Sequence, residues 1–229
     1  MADNKKNEEF LNVEGALSQS EAFITKNSKV IVGAVIAVVV IIAGIFCYSN
    51  FYKAPRERNA QAALFKGEQY FENSQYDEAL RGDSVGFNGL LKVADEYSGT
   101  KAANLANAYI GLSYAHLGDY QNAITYLDKF SADDQMVAPA IKGAMGNCYV
   151  QTGDNERAIS LLQAAAREAD NNTLSPVFLI QAGQLLIQAG RYDEAETAFQ
   201  TVKDKYFNSY QSMDIDRYIN EAKQLKAGK

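Results

Sequence analysis

The groups able to do acid–base, nucleophilic or metal chemistry are few in this sequence: one histidine, two cysteines and scattered acidic pairs. His116 could donate a proton or ligate a metal, but a lone imidazole completes neither a metal centre nor a catalytic triad. Four residues before Tyr120, it reads instead as a polar residue near a helix end. Cys47 falls in an apolar run. Cys148, beside Tyr149, has a helix-packing position and reads as a small buried hydrophobe, so the two thiols are not expected to meet. Asp77-Glu78 and Asp133-Asp134 stand at helix starts or loops, where carboxylates complement the helix dipole. No glycine-rich phosphate loop, Gly-x-Ser-x-Gly elbow, paired histidine ligands or zinc-ligand spacing occurs. The expectation is a non-enzymatic protein with no cofactor, no metal and no small-molecule substrate. A net charge of −6 gives no broad attraction to phosphate backbones, so no nucleic-acid partner is expected.

Internal periodicity supplies the framework. Ser74-Gln75-Tyr76-Asp77-Glu78-Ala79, Gly118-Asp119-Tyr120-Gln121-Asn122-Ala123, Gly153-Asp154-Asn155-Glu156-Arg157-Ala158 and Gly190-Arg191-Tyr192-Asp193-Glu194-Ala195 align on one theme. Their alanines are 44, 35 and 37 positions apart. Seven residues upstream of each leading Ser or Gly sits another glycine (Gly67, Gly111, Gly146, Gly183), and three further on a large residue (Tyr70, Tyr114, Tyr149, Leu186). The upstream glycine allows two helices to approach, the large residue fills the space a turn later, and the second Gly makes a left-handed helix end. Alanine keeps the crossing tight. One such hairpin cannot bury its apolar side alone, so neighbours must stack.

These residues resemble the tetratricopeptide repeat (TPR), a pair of antiparallel helices of about 34 residues. The expected fold class is all-α: a TPR-type α-solenoid of about four helical hairpins over residues 55–205, closed by a C-terminal capping helix. Repeat one carries about nine extra residues around Arg81 to Gly89, with its second helix resuming from Leu90 to Tyr97. Ala63, Asn107, Lys142 and Leu179 stand where the family often has Trp, and Asn155 replaces the tyrosine of repeat three. Pro139 and Ser175-Pro176 fall at starts of first helices, with Ser175 expected to cap. Ser212 to Leu225, with Ile215, Ile219, Ala222 and Leu225 on one side, reads as the capping helix.

Ahead of the repeats, Val30 to Tyr48 is uncharged and rich in Val, Ile, Ala and Gly. Its length as a helix is roughly 28 Å, close to a hydrocarbon core of about 30 Å. Only a helix satisfies the backbone of a lone segment in lipid. The run exceeds the apolar part of a signal peptide, no small-x-small site follows Tyr48, and Cys47 follows Phe46 rather than the small residue of a lipoprotein site. The reading is an uncleaved single transmembrane helix at 30–49, a tail at 1–29 and a TPR domain at 50–229. In the tail, Leu17, Ser20-Glu21, Phe23, Ile24 and Asn27 fit either a short surface helix or an unstructured segment. Lys26 and Lys29 precede the span and Lys53, Arg56 and Arg58 follow it, a balance that leans toward a cytoplasmic C-terminal side but leaves orientation open.

Function is expected on the inner face lined by the first helices. The register turns Gln61, Leu64, Glu68, Phe71 and Glu72 inward in repeat one, and Leu105, Ala108, Leu112, Ala115 and His116 in repeat two. Repeat three contributes Ala140, Gly143, Asn147, Val150 and Gln151, and repeat four Val177, Ile180, Gln184, Ile187 and Gln188. The candidate protein-binding set keeps Glu68 and Phe71, Leu105, Leu112 and His116, the last three of repeat three, and all five of repeat four. This lining is apolar and amide-rich, and suits helices or extended hydrophobic segments. The Lys/Asn/Lys/Arg clamp with which TPR co-chaperones grip acidic chaperone tails has no match in it.

The layout of acidic tail, single span, Ala60-Gln61-Ala62 helix start and TPR array, with Ser20-Glu21-Ala22-Phe23 ahead of the span, resembles the YfgM-like family of inner-membrane TPR proteins. That resemblance implies a bacterial inner-membrane protein with its C-terminal domain in the periplasm. It further implies association with the Sec translocon and a membrane-anchored isomerase-like chaperone, or with emerging chains. Asp95 to Ala103 is similar to the Tyr-Pro-x-Ser-x-x-Ala link of envelope TPR proteins of the BamD and TolA-binding type, with Ser98 in place of Pro. An envelope-assembly scaffold and a cytosol-facing sorting receptor are the alternatives.

Overall fold

The structure is a computed structural model that describes residues 23–228. The described residues contain helices and no strand, and the chain divides into two compact units between Pro55 and Arg56. In the first unit, Phe23 to Lys26 is helical; Leu17 and Ser20-Glu21 of the expected tail helix lie outside the described residues. Helix α1 (Ser28–Cys47) follows, with no buried residue, and Tyr48–Lys53 forms a single π-helical turn in which Tyr48 and Tyr52 stack at 5.3 Å. Its apolar stretch has a mean hydropathy of 3.2, so this one helix is long and apolar enough to cross a membrane.

The second unit is a stack of helical hairpins. The first pairs α2 (Ala54–Glu72) with α3 (Tyr76–Arg81) and α4 (Leu90–Glu96). The others are α5 (Lys101–His116) with α6 (Tyr120–Leu127), α7 (Val137–Gln151) with α8 (Asn155–Ala169), and α9 (Ser175–Gln188) with α10 (Tyr192–Lys205). A 3₁₀ turn (Tyr210–Asp214) leads into α11 (Ile215–Ala227), which packs on α10.

The hairpin turn repeats atom for atom. The backbone N–H of Gln75, Asp119, Asp154 and Arg191 donates to the carbonyl of Tyr70, Tyr114, Tyr149 and Leu186 at 2.9, 2.9, 3.0 and 2.8 Å. This six-to-one bond closes a helix through a residue of positive φ. Gly118, Gly153 and Gly190 supply it at 81°, 83° and 72°; in hairpin one Ser74 holds the same conformation at 60°, against the steric preference of an L-residue. Asp119 and Asp154 then accept from the backbone N–H of Asn122 and Arg157, capping the second helix as its dipole favours.

Helices of a pair meet where a glycine leaves no side chain. A Cβ added to Gly111 would lie 2.6 Å from the Leu127 side chain, and one added to Gly183 2.3 Å from the Phe199 ring. Leu127, Leu162 and Phe199 each stand four residues beyond the recurring alanine, and Ala79, Ala123, Ala158 and Ala195 are all fully buried. In hairpin one that position is Asp83, and Leu90 covers Gly67 instead, because residues 82–89 loop out. The neck of the loop admits only glycine: a Cβ on Gly82 would stand 2.0 Å from the Phe87 carbonyl and one on Gly89 2.3 Å from that of Leu80. Asp83 organises its interior, accepting the Tyr70 hydroxyl at 2.5 Å and the N–H groups of Val85, Gly86 and Phe87 at 2.8, 2.8 and 2.9 Å. The Tyr70 bond, then the backbone donors, hold its carboxyl at a pKa of about 2.

Three core clusters run along the stack. The first joins Ala60, Leu64, Leu80, Leu90 and Ile110; the middle one is small, with Ala108, Ala123, Leu127, Ile141 and Cys148; the last gathers α8 to α11 around Leu162, Leu186, Phe199 and Ile215. Beside the first cluster, α2 is tied to the joint between α4 and α5: Arg56 donates to the Glu96 carbonyl at 2.7 Å, and Glu57 accepts from the N–H groups of Lys101 and Ala102. Cys148 is 3% exposed, and burial pushes its thiol up, as expected for a packing residue.

Three sequence expectations change. Ser175 is not the cap of α9 but its first residue; its buried hydroxyl donates to the Ala166 carbonyl, while Asn171 accepts from Thr173 and Leu174. The last helix begins at Ile215 rather than Ser212, and Leu225 stays 42% exposed while Ile215, Ile219 and Ala222 are covered. Leu64, Ala108 and Gly143 are buried rather than presented on the inner face; a Cβ on Gly143 would lie 2.3 Å from Phe178 of the next hairpin.

Candidate functional site

The first helices α2, α5, α7 and α9 carry the candidate binding side chains, and none of those side chains is fully buried. On α2, Glu68 and Phe71 are half-buried; on α5, Leu105 and Leu112 are half-buried and His116 is exposed. On α7, Val150 is half-buried between exposed Asn147 and Gln151. On α9, Val177, Ile180 and Ile187 are half-buried and Gln184 and Gln188 exposed. Val150, Ile180 and Ile187 rest against the last core cluster, Leu112 against the middle one, and Leu105 against both the first and the middle. Half-burial has a simple cause: the i, i+3, i+7 positions of a first helix lie beside its neighbours while the outward edge stays free.

Phe71 and His116 are brought into ring contact. Phe71 meets Tyr76, Tyr109 and His116 edge-on at 5.4, 5.2 and 5.9 Å, and His116 stacks flat on Tyr76 at 4.4 Å with 2° between planes. This cluster joins α2 and α3 of hairpin one to α5 of hairpin two. Burial first, then the negative charges of Glu68 and Glu72 and a hydrogen bond to Glu68, push the Tyr109 phenol up. Tyr76 and Tyr109 were missed from sequence: Tyr76 has a turn role of its own, and Tyr109 lies between two core residues. The seven-residue spacing of Tyr109 and His116, two turns of one helix, was the available signal.

A second concavity opens beside α6, which at eight residues is shorter than the other second helices of unbroken hairpins. It is a cleft of about 210 Å³ floored by Leu127, Phe130, Ile141 and Met145, with the Lys142–Glu168 ion pair at its rim. Elsewhere the second-helix face is laced by ion pairs: Arg191 bonds Glu194 at 2.7 Å and Glu156 at 2.8 Å, and Asp170 bonds Lys205 and the Tyr206 hydroxyl. The Glu194 bond foremost keeps the Arg191 charge strongly favoured, and the Lys205 bond foremost lowers the Asp170 carboxyl. Among the described residues no group of three or more His, Cys, Asp or Glu could hold a metal.

The stacked hairpins define the class of fold: an all-helical solenoid of tetratricopeptide-like repeats. The tetratricopeptide-repeat family model matches residues 104–130, and the model of the anaphase-promoting complex, cyclosome, subunit 3 matches residues 118–202. Two solved structures of nearly identical TPR-like repeats from a Podosopora anserina kinesin-light-chain sequence, one of them a point variant, superpose with a TM-score of 0.56. Each is 13% identical over 76% of this chain and 89% of that one, which shows the fold. No curated protein matches.

Proposed function

We propose that this chain is a single-pass scaffold of the bacterial inner membrane, its hairpin domain in the periplasm, ancillary to the Sec translocon. On this reading its inner face holds a membrane-anchored isomerase-like chaperone or an emerging chain. The observation that carries the proposal is the pairing, in one chain, of an uncovered apolar helix with a repeat face of half-buried Val and Ile flanked by exposed amides. The first suits a bilayer; the second suits an apolar peptide whose backbone needs hydrogen-bond partners. The YfgM-like layout supports the compartment and the partners. The aromatic residues of the Tyr48–Lys53 turn, with Lys53 over the Tyr48 ring at 5.7 Å, suit a lipid–water boundary.

One observation favours a second reading. The Asp95-to-Ala103 link, similar to that of envelope-assembly TPR proteins, sits in the structure as the joint between α4 and α5, held by Arg56 and Glu57. An envelope-assembly scaffold would share the anchor and differ in partner. Membrane fractions washed with alkaline carbonate should retain the protein, and protease added to spheroplasts should digest the hairpin domain. Gentle detergent extraction should then co-purify translocon or chaperone subunits. Release by carbonate refutes the anchor, protection from protease refutes the periplasmic side, and outer-membrane machinery as the only partner favours the second reading.

A further inference from the structure

We propose that the ring cluster between hairpins one and two is a subsite for a cationic side chain, arginine or lysine, on an extended segment of the partner protein. The inference rests on the scaffold reading above and adds the chemistry of what is recognised. Phe71, Tyr76, Tyr109 and His116 form one contact group, yet three of them are only half-buried and His116 is exposed. Uncovered ring faces attract cations through their quadrupoles.

The charge beside the rings has the matching sign. Glu68 and Glu72 stand one turn apart on α2, next to Tyr109, and both bear on its phenol. Neither makes an ion pair among the described residues, whereas most acidic groups along α8 and α10 are matched: Glu156 and Glu194 with Arg191, Glu168 with Lys142, Asp193 with Lys226. Two carboxylates without an ion pair, beside rings that stay partly exposed, are complementary to a cation that arrives from outside. The far half of the inner face differs: Val150, Val177, Ile180 and Ile187 lie there with amides and no carboxylate among the candidate positions. The two halves together recognise a segment with a basic residue at one end and apolar residues along the rest. A second copy of the chain fits less well, because the chain carries a net charge of −6.

The test uses the full-length chain in detergent micelles and two fluorescent capped peptides, Leu-Ala-Arg-Ala-Leu and the same peptide with citrulline, a neutral near-isostere of arginine. Anisotropy should show the arginine peptide binding about fivefold to tenfold more tightly, the scale of a cation–π contact plus an exposed charge pair. Glu68→Gln with Glu72→Gln should abolish the preference at an unchanged thermal midpoint. His116→Phe, which keeps a ring over Tyr76, should retain it, and His116→Ala should weaken it. Equal affinity for both peptides overturns the inference while leaving the groove reading standing, as does a preference that survives the double variant. No binding of either peptide also overturns it. Dimerisation in sedimentation that the double variant dissolves would assign the subsite to a second copy and overturn it too. Failure of co-purification, by contrast, removes the proposed partner without touching the arginine preference.

Discussion

Gly111→Ala and Gly146→Ala place the same methyl group at equivalent points of two hairpins, and the structure expects opposite results. At Gly111 the methyl would stand 2.6 Å from Leu127 Cγ and 2.9 Å from the Leu127 backbone nitrogen, which cannot rotate aside. At Gly146 its nearest neighbour is Leu162 Cγ at 3.1 Å, and the next lie at 3.4 and 3.5 Å. Overpacking of a filled contact costs about 1–3 kcal/mol. Alanine inside a helix recovers about 1 kcal/mol relative to glycine. The rigid backbone nitrogen puts the Gly111 contact in the upper part of that range, about 2–3 kcal/mol, so Gly111→Ala should lose about 1–2 kcal/mol net, and Gly146→Ala should stay within about 0.5 kcal/mol of the parent or exceed it. For a domain of this size the Gly111 change lowers the thermal midpoint by roughly 3–6 °C. Repeat arrays open in sections, so hydrogen exchange on the α5 and α6 amides should accompany the melt and show faster exchange there. An unchanged Gly111→Ala protein, or equal losses at both sites, would refute the close crossing as the reason for glycine.

Other perturbations follow from the same geometry. Asp83 has a folded pKa of about 2 against an ordinary 3.8, so its contribution is present above the ordinary value and is lost as pH falls toward 2. Urea midpoints against pH should show that acid-side loss, and Asp83→Asn should flatten it. Gly153 has φ of 83° and open space around its Cβ direction, so Gly153→Ala should cost about 1 kcal/mol from backbone strain alone. Ser74→Gly should gain about 0.5–1 kcal/mol for the converse reason, both read from urea melts. Ala123→Leu should cost about 1–3 kcal/mol by circular dichroism melts, because Ala123 is fully covered. Ile187→Asp and Val150→Asp should keep the helical signal and reduce partner capture; damage equal to that of Ala123→Leu would place both side chains in the core.

The hairpins were legible because each needs the same local parts: a small residue at the crossing, a left-handed turn and an alanine, all within one short window of sequence. The bounds of the inserted loop were legible for the same reason, since Gly82 and Gly89 interrupt an otherwise helical stretch. What escaped depends on the distance between neighbouring hairpins. Gly143 is buried by Phe178 of the next first helix, and Leu64 and Ala108 are taken into core clusters that draw on both their own and the neighbouring hairpin. Ser175 looked like a cap because it precedes Pro176, but the turn that Asn171 closes over Thr173 and Leu174 makes it the first helical residue, and its hydroxyl bonds back to Asn171 and Ala166 instead. The ring cluster combines residues 40 positions apart, Tyr76 and His116, that no local pattern links.

A photoreactive amino acid in place of Gln184 on α9, compared with one in place of Ser160 on α8, asks the main question directly in native membranes. Both positions are exposed, one on a first helix and one on a second. The account expects a discrete protein adduct from Gln184 in the membrane fraction and none from Ser160. Adducts from Ser160 alone, or from neither position, would contradict a protein-binding inner face.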